Sequence, residues 1–276
     1  MNKNEQHAKT YLQRISNFLL INGGFLDNSG LYTGEIGLVL FFFCYARYTQ
    51  NNLFREFSFK LIEKIQNSIH QETPINYKNG LAGIGATIEY LVQEGFVEAN
   101  TDDILEEFDD RIFSTSSIPR MSFEEVISVA YYAIWRIHGS HTKKYLLLNT
   151  ILPQVLNAIK EWCKNCGVSH SVIFHFSETI EMESSISLSD KPFDSHVWFS
   201  LFDKYYPNIS LTNQYICLLG DMPGNDIFSQ TPLNMGLVNG LAGSGMTLLT
   251  ELNGDFTWTT LLKNNFIPIK NEPIPF

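Results

Sequence analysis

Basic residues and cysteines are scarce in this chain of 276 residues. It has 19 Lys and Arg against 29 Asp and Glu, which gives a formal net charge of −10. Because this surplus of negative charge gives no electrostatic attraction to nucleic acid or to anionic lipid, we expect neither as a partner. Four cysteines are also too few to cross-link a chain of this length as a disulfide scaffold.

Long apolar segments are lacking as well. The longest run covers residues 36–46 and is far shorter than the roughly 20 residues that a membrane-spanning helix needs. Near the N-terminus the apolar residues recur at helical spacing, whereas a secretory signal requires a continuous apolar stretch. We therefore expect residues 36–46 to form a buried helix, and we expect a soluble, cytoplasmic protein that does not contact a membrane.

Hydrophobic residues still make up 44% of the chain, and they follow a helical periodicity. Ser122 and Glu125 have the spacing of a capping box, and Thr101 is predicted to cap another helix. Pro153 must either kink its helix or begin a second one. Since strand-like alternation is scarce and no linker divides the sequence, we predict one all-α domain over residues 1–276.

Acidic residues concentrate between Glu94 and Asp110, beside an apolar stripe. Such a pattern is typical of a helix whose acidic face lies in solvent. The alternative interpretation is a docking surface for a basic peptide.

Glycine is the most informative residue type in this sequence. Ten of the eighteen glycines fall in three short clusters, at residues 30–37, 79–85 and 236–245. When the clusters are aligned, two glycines coincide in all three: Gly34, Gly80 and Gly240 at one position, and Gly37, Gly83 and Gly243 at the next. An apolar helix is predicted after each cluster, and the spacing of 46 residues from Gly34 to Gly80 suits one helical hairpin per repeat.

The chemistry of glycine allows two interpretations of these clusters. Glycines permit tight turns and a close approach of backbones, so helices that face a common centre can crowd together. Alternatively, exposed amides at the helix N-termini form a site for an anion or a phosphate. No Gly-Lys-Ser/Thr sequence follows any cluster and no strand is predicted before one, which excludes P-loop and dinucleotide sites.

The three clusters resemble those of the LanC family, the lanthionine synthetase C-like proteins. This resemblance implies an α/α toroid of helical hairpins, with glycine-rich loops at one end of the inner helices. LanC-family enzymes add cysteine thiols to dehydrated Ser or Thr in a precursor peptide, and they use a zinc ion held by two cysteines and one histidine. The family has seven hairpins, whereas this chain has room for roughly six, so the resemblance implies a shortened toroid.

The zinc ligands of the family are missing where the resemblance would place them. The family motif Cys-His-Gly-x-Ala-Gly aligns with residues 238–243, where Val238 replaces the cysteine and Asn239 replaces the histidine. Valine cannot bind a metal, and asparagine is a poor zinc ligand. We therefore expect neither zinc nor another cofactor, and we assign no catalytic residue.

One alternative zinc site stays open. Cys163, Cys166 and His170 follow the spacing Cys-x2-Cys-x3-His, from which a tetrahedral site could be built. Cys166 followed by Gly167 equally fits a helix C-terminus with free thiols.

Together these features predict a LanC-like protein of ribosomal peptide maturation without zinc-dependent thioether cyclisation. It would bind a precursor peptide, or a peptide-maturation enzyme, in the mouth of the toroid. The residues expected at that mouth are Gly34, Gly37, Gly80, Gly83, Gly240, Gly243 and Asn239. Two alternatives remain: an active cyclase-like enzyme with a non-standard site, and a structural protein-interaction module.

Overall fold

The computed structural model describes residues 3–114, 117–140, 142–165, 234–238 and 240–262. Across these ranges the prediction of an all-α chain is confirmed, because they form helices, turns and loops and contain no strand. In chain order the α-helices are α1 (Lys3–Asn22), α2 (Glu35–Thr49), α3 (Asn52–Ser68), α4 (Leu81–Gln93), α5 (Thr101–Ile104), α6 (Glu106–Ile112), α7 (Phe123–Gly139), α8 (Lys144–Leu146), α9 (Leu152–Asn165) and α10 (Leu241–Asn253). None of these helices combines the length and the apolar character needed to cross a bilayer.

The chain divides into two compact units. Among the described residues, the first unit contains 3–73, 78–80 and 234–262, and the second contains 74–77 and 81–165. The first unit therefore holds α1, α2, α3 and α10, and the second holds α4 to α9. Whether residues 1–276 form the single domain expected from the sequence stays a prediction.

Helix α2 is the centre of the first unit. Residues 35–46 of this helix are all buried, which confirms the buried helix predicted from the apolar run. It packs along α3 and against α10. Phe42 stacks on Phe54 of α3 with ring centroids 6.0 Å apart. On the α10 side a Cβ added to Gly245 would overlap the ring of Phe41, so glycine is what allows these two helices to approach so closely.

Helix α7 has the same role in the second unit, where it packs against α4 and α9. The predicted capping box at its start is confirmed: Ser122 Oγ accepts the N–H of Glu125, and the Glu125 carboxylate accepts the N–H of Ser122. Gly85 of α4 faces Tyr132 of α7, and an added Cβ would lie 2.6 Å from the tyrosine ring. Glycine thus serves close helix packing in both units.

The backbone around Pro153 is helical without a break, so the proline does not begin a separate second helix, which was one of the two predicted outcomes. A π-helical stretch at Leu147–Ile151 follows α8, and Pro153 lies in the first turn of α9. Proline has no amide hydrogen to donate to a preceding carbonyl, and the wider π-helical turn lies directly before it.

The acidic stretch differs from its prediction. It forms two short helices, α5 and α6, that meet at Leu105, and not one helix with a solvated face. Asn100 caps α5 in place of Thr101, because its Oδ1 accepts the N–H of Asp102 at 3.2 Å. Thr101 and Asp109 are buried, so part of this stretch faces the interior of the unit.

Candidate functional site

The loops before α2 and α10 have the same hydrogen-bonded geometry. Asn28 Oδ1 accepts the N–H of Gly30 at 2.8 Å, and Asn234 Oδ1 accepts the N–H of Gly236 at 2.9 Å. In each loop the carbonyl of the asparagine then accepts the first amide of the helix, at 2.7 Å from Glu35 and at 2.9 Å from Leu241. The sequence repeat is therefore also a repeat of structure, in which a side chain and its own backbone shape the turn.

Backbone hydrogen bonds join the three glycine loops to one another in the first unit. The N–H of Val238 donates to the carbonyl of Tyr32 at 2.7 Å, and the N–H of Tyr32 donates to the carbonyl of Lys78 at 2.9 Å. These three residues occupy the same position of the aligned repeat, two residues before the shared glycine. We call this arrangement the loop ladder; its order is third cluster, first cluster, second cluster.

Glycine at two positions permits the spacing of the loop ladder. A Cβ on Gly30 would overlap the Cα of Asn79, and a Cβ on Gly236 would lie 2.5 Å from the Cα of Thr33. The obstructing atoms are backbone, which cannot rotate away as a side chain can. The close-approach interpretation of these clusters is therefore confirmed at Gly30 and Gly236.

The alternative interpretation as an anion site is wrong for α2 and α10. The first amides of α10 donate to the carbonyls of Asn234, Met235 and Gly236, at 2.9 to 3.3 Å. Those of α2 donate to the carbonyls of Asn28 and Ser29. Amides that the preceding loop already satisfies are not available to a phosphate group.

The structure places the predicted site residues as follows. The first unit contains five of the glycines: Gly34, Gly37, Gly80, Gly240 and Gly243. Gly83 lies in the first turn of α4, in the second unit. Asn239 lies outside the described residues.

Three polar side chains border the loop ladder, and none of them is among the site residues predicted from the sequence. Asn28 Nδ2 donates to Thr33 Oγ1 at 2.7 Å, and Thr33 Oγ1 donates to Asn79 Oδ1 at 3.0 Å. Asn79 is exposed and the other two are half-buried. We call these three residues the polar strip. Thr33 and Asn79 could have been found from the sequence, because they align with Asn239 in the repeat.

No described residue set offers a metal site. Val238 is buried and presents only an aliphatic side chain at the position of the family's cysteine. In the described ranges, no three His, Cys, Asp or Glu side chains are placed so that they could hold a metal ion. Cys163 lies within α9, in a part of that helix whose side chains are not described, and Cys166 and His170 lie outside the described residues, so the alternative zinc site stays a prediction.

A second polar cluster surrounds the guanidinium of Arg136 in the second unit. This side chain is fully buried, and three carboxylates accept its hydrogen bonds. Nη1 lies 2.6 Å from Glu89 Oε2, while Nη2 lies 2.8 Å from Asp102 Oδ1 and 2.9 Å from Asp109 Oδ2. Nε also donates to Asp109 Oδ1 at 3.0 Å, so the pair with Asp109 is bidentate. We call these four residues the Arg136 cluster.

Neighbouring groups complete the cluster. Tyr132 Oη donates to Asp109 Oδ1 at 2.7 Å, and Lys143 Nζ lies 3.0 Å from Asp109 Oδ2. Burial raises the pKa of Glu89, an effect that the hydrogen bond and charge of Arg136 oppose. Because the carboxylates come from α4, α5 and α6 and the guanidinium from α7, one buried cation connects four helices.

For both Arg136 and Asp102, the surroundings strongly favour the charged form over the neutral form. Burial alone would lower the pKa of Arg136, but the hydrogen bonds and charge of Asp109 raise it above its usual value. Burial alone would raise the pKa of Asp102, but hydrogen bonds from Ser140, Thr142 and Arg136 hold it well below its usual range. Both groups therefore carry full charge at neutral pH.

A cavity of about 720 Å³ borders the Arg136 cluster. Glu89 and Asp102 line it together with the C-terminal end of α4, residues 99–103, Glu106, and the end of α7 with the residues that follow. At Gly139 an added Cβ would overlap the carboxylate of Glu89, so this wall has room only for glycine. The sequence analysis did not foresee this cavity, because its lining comes from three separate segments.

We compared the chain with protein-family models, with curated proteins and with solved structures, and none of the three comparisons gave a match. The resemblance to the LanC family is accordingly carried by the three glycine clusters and stays a prediction.

Replacement of Gly30 by alanine should destabilise the protein by at least about 2 kcal/mol, because the new methyl group overlaps backbone atoms of Asn79. Gly24→Ala is the control, since a Cβ there meets no atom within 4 Å. Urea unfolding followed by circular dichroism measures both variants. Equal stability of the two would contradict the close approach described for the loop ladder.

Replacement of Arg136 by methionine should cost about 3–5 kcal/mol of unfolding free energy, because it leaves buried carboxylates without their cation. Arg120→Met is the matched control: Arg120 is exposed, and its change should stay within about 0.5 kcal/mol. Thermal and urea unfolding would measure the difference. A small effect at Arg136 would show that the cluster does not stabilise the fold.

Replacement of Asp102 by asparagine should make stability less sensitive to acid. The native pKa of Asp102 lies below the unfolded value of 3.8, so its ionised form stabilises the fold above about pH 4. That contribution is lost as the pH falls through the native pKa. The stability difference between wild type and Asp102→Asn should therefore shrink below about pH 4, whereas Asp110→Asn, at an exposed site, should show little difference at any pH. The urea concentration at the unfolding midpoint, measured for each protein from neutral to acidic pH, tests this prediction.

Proposed function

We propose that this chain is a cytoplasmic LanC-like protein that binds a precursor peptide of a ribosomal maturation pathway without zinc-dependent thioether chemistry. The observation that carries the proposal is the loop ladder with the polar strip beside it. The ladder relates the three clusters to one another in space, and the strip offers groups that can bind a peptide.

The packing of the first unit supports a shortened α/α toroid. Helix α10 packs against both α1 and α2, so segments from opposite ends of the described chain are neighbours. The loop ladder repeats this relation, because the third cluster bonds to the first and the first bonds to the second. A closed ring of hairpins has this property: its last repeat contacts its first.

The polar strip suits recognition of a peptide backbone. Asparagine side chains carry both a donor and an acceptor, and threonine hydroxyls can do either. These groups stand on loops whose geometry is fixed by backbone hydrogen bonds at 2.7 to 2.9 Å, so little conformational entropy is lost when they bind. A peptide running across the strip could exchange amide hydrogen bonds with Thr33 and Asn79.

The residues at the family's ligand position favour peptide binding without a metal ion. A zinc-bound thiol loses its proton readily, and that is the chemistry zinc would supply. Val238 has no atom that can coordinate zinc, and its amide already belongs to the loop ladder. We therefore propose that the protein holds or presents its peptide and leaves thioether formation to another catalyst.

Two measurements test this proposal. The metal content of the purified protein should be well below one zinc per chain, and stoichiometric zinc would overturn the metal-free part. A candidate precursor peptide should bind in calorimetric titration, and the double variant Thr33→Val and Asn79→Ala should weaken it about tenfold or more, as expected when hydrogen bonds to a ligand are lost. Gln13→Ala, an exposed change on α1, should have no effect. Absence of peptide binding would refute the function.

A further inference from the structure

Lys64 of α3 contacts three oxygen atoms that lie on both sides of the loop before α2. Its Nζ donates to the carbonyls of Gly24 and Leu26, both at 2.8 Å, and it lies 2.6 Å from Glu35 Oε1. Gly24 and Leu26 precede residues 27–34 of the loop, and Glu35 is the first residue of α2. One ammonium group therefore joins the two ends of this loop. We call these four residues the Lys64 clamp.

The loop held by the Lys64 clamp contains two of the three residues of the polar strip, Asn28 and Thr33. A second contact with α3 holds the same loop, because Ser29 Oγ lies 2.7 Å from Ser68 Oγ. Ser68 follows Lys64 by four residues, so both side chains lie on one face of α3. All these residues belong to the first unit. One helix thus fixes the loop beside Asn28 and at both of its ends.

The geometry of the loop does not by itself require the Lys64 clamp. The loop before α10 forms the same hydrogen-bonded turn, yet Leu241 occupies the position that Glu35 has before α2. Glu35 is buried, and a buried carboxylate costs free energy unless a cation pairs with it, whereas a leucine has no such cost. The pair of Glu35 and Lys64 therefore distinguishes the loop that contains Asn28 and Thr33.

A small displacement of this loop would disrupt the polar strip. Thr33 Oγ1 donates to Asn79 Oδ1 at 3.0 Å, and a hydrogen bond of this kind is lost by about 3.6 Å. A shift of the loop by roughly 1 Å would therefore separate Thr33 from Asn79. A loop that is held at both ends makes such shifts less frequent and loses less conformational entropy when a ligand binds.

We infer that Lys64 is a positioning residue of the polar strip. Its ammonium group holds the loop before α2, so that Asn28 and Thr33 keep the arrangement in which they bind the peptide together with Asn79. Lys64 acts through the loop and not through contact with the peptide. The inference rests on the proposed peptide-binding function, because it assigns a supporting residue to the same site.

Hydrogen exchange of the full chain, followed by NMR, tests whether Lys64 holds the loop. In Lys64→Met the amides of Gly30 and Glu35 should exchange about tenfold faster or more, because the loop opens more often. The amides of Gly236 and Leu241, which make the same bonds in the loop before α10, should keep their wild-type rates. A general loss of stability would accelerate exchange in both loops.

Two further variants control this experiment. Lys60→Met is the matched control, since Lys60 is exposed on the same helix and makes no hydrogen bond or ion pair with a described residue. The double variant Glu35→Gln and Lys64→Met leaves no unpaired buried carboxylate, so it keeps the test possible if Lys64→Met alone does not fold. It should show the same fast exchange at Gly30. Because the Lys64 side chain is 43% exposed, its replacement leaves no buried cavity.

Calorimetric titration of the candidate precursor peptide tests whether Lys64 acts through the polar strip. Lys64→Met should weaken binding about tenfold, whereas Lys60→Met should not change it. In a chain that already carries Thr33→Val and Asn79→Ala, Lys64→Met should have no further effect, because residues that act as one unit are not additive. A purely structural contribution of Lys64 would weaken binding equally in both backgrounds.

Three results would overturn the inference: unchanged exchange at Gly30 and Glu35, equal acceleration in both loops, or an effect of Lys64→Met on peptide affinity that is absent or is the same in both backgrounds. The proposed function fails separately, if the wild-type chain does not bind the precursor peptide. Faster exchange in Lys64→Met would then still show that Lys64 holds the loop.

Discussion

The close approach of backbones in the loop ladder is the constraint on which the first unit depends. Gly30 lies against the backbone of Asn79 and Gly236 against that of Thr33, at distances that no side chain would permit. Only at this spacing can Val238 and Tyr32 donate to the neighbouring loops. The loops in turn fix where α2 and α10 begin, because their carbonyls accept the first helical amides. Glycine therefore sets both the turn and the position of the helix that follows.

The second unit depends on a different interaction, the buried guanidinium of Arg136. A buried charge is costly unless it is fully paired, and here three carboxylates pair it from three other helices. Such a pair adds little net stability compared with an apolar core, but removal of one partner leaves a buried charge unpaired. Because Asp102 and Asp109 both bond to this guanidinium, the short helices α5 and α6 are tied to α7, although neither is long enough to be stable alone.

The helical class of the fold could be read from the sequence, because periodicity and capping are local. Ser122 with Glu125, and the apolar run before Arg47, identified α7 and α2 correctly. The acidic stretch was misjudged for a physical reason: whether Asp109 faces solvent depends on Arg136, which is 27 residues away. The glycine clusters predicted a close approach of backbones, but they did not predict the hydrogen bonds between the loops, because contacts between distant segments leave no local pattern. For the polar strip the one available signal was the alignment of Thr33 and Asn79 with Asn239 in the repeat.

The loop ladder also bears on what chemistry the repeat can support. To bind a metal ion, residue 238 would need a side chain with a coordinating atom. The loop ladder uses only the backbone amide of this residue. The geometry of the loops is therefore independent of the side chain there, and valine satisfies it as well as cysteine would. A side chain that cannot bind zinc at position 238 therefore leaves the hydrogen bonds of the loop ladder undisturbed. By this argument the geometry of the loops and the side chain at position 238 are independent, so the glycine clusters can resemble those of the LanC family without the metal ligands of that family.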